Sequence, residues 1–327
     1  MNKSISKFLQ IAIPLGLGIF LIWYIYEKFT PEQLELMYFH FENANYWIVS
    51  LSVLLSVLSH ILRAYRWNFM LEPLGYYPKL ANNFMAVSIA YLMNIFIPKS
   101  GEVSRAVVLA KYEKVPFDKG FGTIITERVI DLVLLLMFTA LALFLQFDLL
   151  YTYITDLIPV RKFILIISGL ILLTLVFLVF LKYSKSAVAG KLNNFISGLK
   201  DGLFSILKMK RKMGFIILSL LIWALYVLSF YTATYALEET AAISMGTVII
   251  TFVVGSFTFA FTNSGFGSYP AAIMGILLVF GIAKEVGFAF GWIVWSSNIA
   301  ALLFFGSLSL MLLPVYNRNY EGSRVTE

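Results

Sequence analysis

The sequence predicts an all-α polytopic membrane protein with about six full spans and two broken re-entrant hairpins, arranged as an inverted repeat. Of the 327 residues, 60% are hydrophobic and 13% are charged, with a mean hydropathy of +0.85, whereas soluble domains have about 25% charged residues. The apolar residues also fall in runs near the length of about 20 residues that crosses a bilayer. Counting each hairpin as one unit gives eight helical units, and residues 1–327 are predicted to form a single membrane domain.

The composition excludes several classes of site. The chain has no cysteine and only two histidines, His40 and His60, so thiolate or multi-histidine metal sites are not expected. It also lacks the glycine-rich phosphate loop of ATP-driven enzymes. The net charge of +7 indicates loops that face anionic lipid rather than a nucleic-acid partner. We therefore expect no cofactor, no metal and no nucleic acid.

Three spans are predicted in the first half of the chain. The first, 8–26, follows two lysines and ends without a signal-peptide cleavage site, so we expect a retained span with a cytoplasmic N-terminus. The second, 46–62, ends before Arg63 and Arg66, which places that end in the cytoplasm. The third, 120–147, returns outward.

Between the second and third spans lies an apolar hairpin, hairpin 1 (residues 81–115). Pro98 and Gly101 break its helix, and the return limb carries Glu102 and Arg105. A cluster of lysines and arginines surrounds it, and re-entry from the cytoplasm keeps that cluster inside. An ordinary short span remains the alternative.

The second half repeats the plan in the opposite orientation. Its central break, Phe261 to Pro270, interrupts hairpin 2 (residues 245–282), which is predicted to enter from outside. Before hairpin 2, residues 182–212 are predicted to form a basic amphipathic segment on the cytoplasmic surface. Gly287 and Gly291 form a G-x-x-x-G that favours close helix packing. The predicted full spans of this half are 163–181, 215–237 and 287–313, the last of which returns the C-terminus to the cytoplasm.

The two halves, 1–150 and 160–316, share the order span, span, broken hairpin, span. Inverted repeats with paired broken helices indicate a secondary transporter whose site lies near the membrane midplane. At that depth, backbone N–H and C=O groups outside a helix are tolerated only where protein groups or water form hydrogen bonds with them. Gly101, Gly265 and Gly267 are predicted to allow the tight turns at the hairpin tips.

Three sequence runs, at 63–67, 94–105 and 127–131, resemble the flippase-like transmembrane region of lysylphosphatidylglycerol synthases. They read Arg-Ala-Tyr-Arg-Trp, then Asn-Ile-Phe-Ile-Pro-Lys-Ser-Gly-Glu-Val-Ser-Arg, then Glu-Arg-Val-Ile-Asp. The resemblance implies translocation of an aminoacylated or anionic phospholipid across the cytoplasmic membrane, by a stand-alone form without the synthase domain. Hairpin 2 departs from the family pattern, because it lacks prolines before its glycines and a glutamate after them.

The candidate substrate-binding residues lie at the two hairpin tips and at the charged span ends. Arg105 would bind a phosphate, with Glu102 positioning it or countering a cationic headgroup; alternatively, Glu102 only favours the helix N-terminus. Arg128 is predicted to reach Asp131. The full set is Arg63, Arg66, Asn94, Lys99, Ser100, Gly101, Glu102, Arg105, Glu127, Arg128, Asp131, Asn263, Ser264, Gly265 and Gly267.

Two functions from different classes remain open at this stage. The first is a lipid flippase or transporter that works by alternating access at the hairpin tips. The second is an accessory subunit of a lipid-modifying enzyme, or a membrane-embedded enzyme itself. The sequence has no Ser/His/Asp grouping, metal-ligand cluster or nucleotide loop, so we expect no catalytic residues.

Overall fold

The computed structural model describes residues 18–149, 211–262 and 264–318, with Gly16 and scattered positions between 151 and 209. These residues form helices and turns with no β-strand, as expected for an all-α polytopic membrane protein. The predicted first span is described only from its second half onward. Asn263 lies outside the described residues, as do most of the predicted span 163–181 and almost all of the segment 182–212.

The helices of the first half follow one another through short turns. Residues 18–26 form α1. The following helices are α2 (Pro31–Asn43), α3 (Tyr46–Leu71), α4 (Leu80–Phe96), α5 (Gly101–Tyr112) and α6 (Phe117–Leu145), with a short 3-10 turn after α3. Side chains fix two starts: Thr30 and Gln33 form a capping box on α2, and Asn45 accepts the Ile48 N–H of α3.

The structure describes the second half continuously from residue 211, just before a long apolar helix. The helices there are α7 (Lys212–Thr234), the short α8 (Glu238–Ala241), α9 (Met245–Phe261), α10 (Ser268–Val279) and α11 (Lys284–Tyr316). Within the described residues, four helices are long and apolar enough to cross a membrane: α3 with its 3-10 extension, α6, α7 and α11. The chain is therefore a multi-pass membrane protein.

The two hairpins have matching limbs. Hairpin 1 is built from α4 and α5, with 17 and 12 residues, and hairpin 2 from α9 and α10, again with 17 and 12 residues. At 1.5 Å per residue, these limbs are about 26 Å and about 18 Å long. Both values fall below the roughly 30 Å of a hydrocarbon core.

The chain divides into two compact units. One comprises residues 1–124 and 209–327, and the other runs from Ile125 to Lys208. In the first unit, α3 packs along α7, and α11 packs against both α4 and α10. One of its core clusters includes Phe230, Phe290 and Ile273. In the second unit, residues 125–145 form the apolar remainder of α6.

Glycines bring α11 close to both hairpins. A Cβ added at Gly291 would lie 2.7 Å from the Pro270 Cα of α10, and one at Gly287 would lie 3.1 Å from the Met274 Cα. The predicted close-packing role of this G-x-x-x-G pair is therefore confirmed. Further along, a Cβ at Gly306 would lie 2.5 Å from the Leu92 Cβ of α4. One helix thus supports both broken hairpins.

One predicted boundary is wrong. The second span was expected to end at Leu62, but α3 continues to Leu71, so Arg63 and Arg66 lie inside the helix. They are buried rather than placed at a helix exit. The helix can continue because distant side chains accept hydrogen bonds from both guanidinium groups.

Candidate functional site

The tip of hairpin 1 is a tight turn closed by side chains. Asn94, in the last turn of α4, accepts the Gly101 N–H at the start of α5 through Oδ1 at 2.8 Å. The Ser100 hydroxyl donates to the carbonyl oxygens of Met93 and Ile97. These bonds satisfy backbone groups that a broken helix leaves open. Asn94 therefore acts as a cap across the break.

Lys99 takes the strained position in this turn. Its φ is +61°, in the left-handed region that costs an ordinary residue about 1–2 kcal/mol. The side chain is exposed and forms no ion pair with a described residue. The turn thus presents a lysine ammonium outward at the tip.

Gly101 has a different role from the predicted one. It was expected to provide the turn conformation, but it is the first residue of α5 and Lys99 has the positive φ. The glycine is needed for a close approach, because an added Cβ would clash with the Ala90 carbonyl oxygen and lie 2.5 Å from Asn94 Nδ2. The two limbs of hairpin 1 therefore touch at this residue.

The tip of hairpin 2 is uncharged in its described residues. Ser264, Gly265 and Gly267 have φ values of +55°, +73° and +67°, so the predicted turn role of the two glycines is confirmed. The Gly265 N–H donates to the Thr262 hydroxyl at 3.2 Å. The Trp295 indole N–H of α11 donates to the Ser264 carbonyl at 2.7 Å, which fixes the tip on α11.

The two tips meet. The Ser264 hydroxyl of hairpin 2 donates a long hydrogen bond, 3.4 Å, to the Asn94 carbonyl oxygen of hairpin 1. Helix α1 lies against the same turn, since a Cβ added at Gly18 would lie 2.5 Å from the Phe266 carbonyl oxygen. Two breaks that are 170 residues apart in sequence thus form one junction, the tip junction.

Three arginines form a second group on α3 and α5. Arg63, Arg66 and Arg105 are exposed by 3%, 0% and 2%. The Arg105 guanidinium lies 3.7 Å from the centre of the Trp67 ring, a favourable cation–π contact. The Trp67 indole N–H in turn donates to the Thr123 hydroxyl at 2.8 Å. The cluster joins α3, α5 and the first turns of α6.

The other two guanidinium groups bind α7. Arg63 donates to the Tyr226 hydroxyl from Nε and Nη2, at 3.2 and 3.1 Å. Arg66 donates to the Ser219 hydroxyl at 2.8 Å. Buried charges require such partners, because an uncompensated one is very costly. Arg63 and Arg66, which were predicted to follow the end of the second span, are instead buried where α3 packs on α7.

A third charged group lies on α6, in the unit that starts at Ile125. Arg128 lies 3.6 Å from Asp131 and 3.7 Å from Glu127, so the prediction that Arg128 reaches Asp131 is confirmed. Glu127 is fully buried, whereas the Arg128 side chain is 39% exposed. Glu127 and Asp131 therefore share Arg128 as their ion-pair partner.

The base of hairpin 1 contains polar residues that sequence reasoning missed. Glu113, fully buried, accepts from the Lys79 backbone N–H at 3.0 Å and from the Asn82 side chain. Asn82 and Asn317 exchange two amide hydrogen bonds, each 2.8 Å. We call Asn82, Glu113 and Asn317 the basal clamp. It ties both limbs of hairpin 1 to the end of α11, opposite the tip.

The predicted site residues thus form separate groups. The tip junction brings together Asn94, Lys99, Ser100, Gly101, Ser264, Gly265 and Gly267. Arg63, Arg66 and Arg105 belong to the arginine cluster, and Glu127, Arg128 and Asp131 to the α6 group. Glu102 lies in the first turn of α5. Within the described residues, no three acidic or histidine side chains are grouped to hold a metal ion.

Comparison with known proteins gives two matches. The family model described as the lysylphosphatidylglycerol synthase TM region matches residues 11–316. A UPF0104 membrane protein from Methanocaldococcus jannaschii is 34% identical over 100 residues, a match that covers 30% of this chain and 30% of that relative. No solved structure matches the chain with significance.

Proposed function

Because the chain belongs to the lysylphosphatidylglycerol synthase transmembrane-region family, we propose that it translocates a phospholipid with an anionic or aminoacylated headgroup across the cytoplasmic membrane. Translocation is the transport of a headgroup through the bilayer interior, which requires a polar path between apolar helices. The proposed path passes through the tip junction, and the protein contributes no catalytic step.

The contact between the two tips is the observation that carries this proposal. Limbs of about 26 Å and about 18 Å are too short to cross a core of roughly 30 Å. Each tip therefore ends inside the bilayer if its base lies at a surface. Broken helices that meet at membrane depth are typical of secondary-transporter binding sites. The matched limb lengths support an inverted repeat with the two hairpins re-entrant from opposite sides.

The charges at the tips support an anionic headgroup. Lys99 presents an exposed ammonium beside the N-terminus of α5, where the helix dipole also favours negative charge. A phosphate at this position would gain a charge-assisted hydrogen bond. The tip of hairpin 2 offers only hydroxyl and backbone groups among its described residues. Recognition of the headgroup by charge is thus assigned to hairpin 1.

The proposed orientation follows from the distribution of basic residues. With both termini in the cytoplasm, hairpin 1 enters from the cytoplasmic side and hairpin 2 from outside. Lys99 then meets lipids from the inner leaflet. Alternating access at the tip junction would open it first to one leaflet and then to the other.

Lipid exchange in reconstituted vesicles tests the proposal. The full chain is placed in phosphatidylcholine vesicles that contain fluorescent phosphatidylglycerol, and an impermeant quencher measures transfer between leaflets. We expect exchange above that of empty vesicles, and Lys99→Gln should slow it roughly tenfold or more, since a hydrogen bond to a charged group contributes about 1.5–3 kcal/mol.

Lys114→Gln is the matched control. Lys114 is also exposed and also has a positive φ, +58°, but it lies at the base of hairpin 1 rather than at its tip. Its variant should exchange lipid at the wild-type rate. Exchange no faster than in empty vesicles would refute translocation, and equal rates for both variants would refute recognition of the headgroup by Lys99.

A further inference from the structure

The second limb of hairpin 1, α5, has one exposed and mainly apolar face. Val103 and Val107 are 45% and 50% exposed. With the exposed Lys111 they recur every fourth residue, which places them along one side of a helix. We call these three residues the α5 face. The opposite side of α5 is buried and includes Arg105. A helix with its charged residue turned inward and valines outward is suited to contact with lipid, because hydrocarbon does not solvate charge.

The first limb of hairpin 1 is covered along its length by other helices. α4 packs against both α3 and α11, and its central residues 85–90 are all buried. At its tip end, Phe96 and the adjoining Ile97 are exposed by 58% and 47%, close in sequence to Lys99. A lipid that approaches Lys99 along hairpin 1 therefore meets α5 rather than the middle of α4.

Lys111 ends the α5 face at the base of hairpin 1. At 1.5 Å per residue, it lies about 15 Å along the helix axis from Gly101, the first residue of α5. Its ammonium lies 5.1 Å from the centre of the Tyr112 ring. Long basic side chains and tyrosine rings are both typical of the membrane–water interface. The α5 face thus leads from a lysine at the base to the tip, where Lys99 presents the next ammonium.

The order of charged and apolar groups on this face matches one anionic phospholipid. The phosphate would form a charge-assisted hydrogen bond with the Lys111 ammonium. The acyl chains would lie beside Val103 and Val107, which present no polar group for hydrocarbon to leave without a hydrogen bond. A phosphatidylcholine headgroup carries its own cation beside the phosphate, so its net attraction to Lys111 is weaker.

We propose that the α5 face is the entry site for an anionic phospholipid of the cytoplasmic leaflet, whose phosphate binds Lys111 first and Lys99 next. The role as an entry site rests on the proposed translocation. Binding of an anionic lipid at the α5 face does not depend on it.

Photo-crosslinking measures lipid at the α5 face without any transport. The full chain is placed in phosphatidylcholine vesicles that contain a trace of phosphatidylglycerol or phosphatidylcholine, each with the same diazirine on an acyl chain. Peptide mass spectrometry then compares the two lipids attached to residues 101–112. We expect phosphatidylglycerol to label this segment in preference to phosphatidylcholine. Lys111→Gln should lower that preference about fivefold, the attraction expected of one lysine for anionic lipid.

Two further variants separate the charge of Lys111 from other effects of its replacement. Lys111→Arg keeps the charge and should keep the preference. Lys114→Gln removes an exposed charge that follows the end of α5, and it should also keep the preference. Equal labelling by the two lipids in the native protein would overturn the proposal. So would a preference that is undiminished in Lys111→Gln.

Lipid exchange in vesicles then separates the entry site from the translocation itself. Val107→Trp places a bulky ring halfway along the α5 face and should slow exchange of phosphatidylglycerol. Leu310→Trp is the control, since Leu310 lies on α11 and is similarly exposed, by 48%; it should exchange at the native rate. Labelling that depends on Lys111 without any exchange would refute translocation and keep the lipid site. Equal exchange rates in the native protein, Lys111→Gln and Val107→Trp would refute entry along α5 and leave translocation standing.

Discussion

Replacing Gly291 with alanine tests how hairpin 2 is held on α11. An added Cβ would lie 2.7 Å from the Pro270 Cα and 3.2 Å from the Ile273 Cβ. A backbone atom cannot rotate away as a side chain can, so the helices must separate by several tenths of an ångström. Close packing of this kind is a main source of helix association inside membranes.

The expected change in the free energy of unfolding on Gly291→Ala is the sum of two opposing effects. Overpacking costs about 1–3 kcal/mol, while alanine favours a helix over glycine by about 1 kcal/mol. Gly291→Ala should therefore destabilise the protein by up to about 2 kcal/mol. Gly287→Ala, at 3.1 Å from the Met274 Cα, should change stability by less than about 1 kcal/mol. Gly275 has open space around it, so Gly275→Ala should stabilise by about 0.5–1 kcal/mol.

Reversible unfolding in mixed micelles provides the assay. The detergent composition is varied, and the helix content of each variant gives its free energy of unfolding. The order expected from the structure is Gly275→Ala most stable, then wild type and Gly287→Ala, then Gly291→Ala. A Gly291→Ala protein as stable as Gly275→Ala would refute the contact between α10 and α11.

Two further predictions concern the base and the tips of the hairpins. Asn317→Ala should destabilise the protein by about 1–3 kcal/mol, because it removes both amide hydrogen bonds to the buried Asn82, which keeps only its bond to Glu113; an unchanged midpoint of unfolding would contradict the basal clamp. Single cysteines at Ser100 and Ser264 should react with an impermeant reagent from the cytoplasmic and external sides, respectively; labelling of both from one side would end the inverted-repeat proposal.

The hairpins were the part of the fold most visible in the sequence. The apolar limbs, the break at Pro98 and the glycines near 265 predict two short helix pairs, and the structure places them there. Gly287 and Gly291 likewise signal a close contact, because few other residues let two helix backbones approach so nearly.

The partners of polar residues were not visible, because they come from distant parts of the chain. Arg63 donates a hydrogen bond to Tyr226, 163 residues away, and Asn82 donates one to Asn317, 235 residues away. Sequence reasoning therefore ended α3 at the first arginine and overlooked the basal clamp. An isolated asparagine carries no pattern that distinguishes a buried pair from a surface group.

The sequence analysis also assigned the left-handed backbone conformation to the wrong residue of hairpin 1. Gly101 was the natural choice for a left-handed turn residue, yet Lys99 has that conformation. The glycine is instead required by the nearby Ala90 carbonyl oxygen, a tertiary contact. Strained backbone conformations of residues other than glycine cluster at functional sites. The strain at Lys99 therefore supports the role proposed for this residue.

A reversible lock across the tip junction tests the central proposal most directly. Asn94→Cys with Ser264→Cys places one thiol on each of two residues that touch across the tips, where the Ser264 hydroxyl lies 3.4 Å from the Asn94 backbone carbonyl oxygen, and each single variant controls for loss of the native side chain. With the disulfide formed, we expect lipid exchange to fall to the level of empty vesicles and to return on reduction. Exchange at the rate of the single variants with the disulfide intact would contradict translocation through the tip junction.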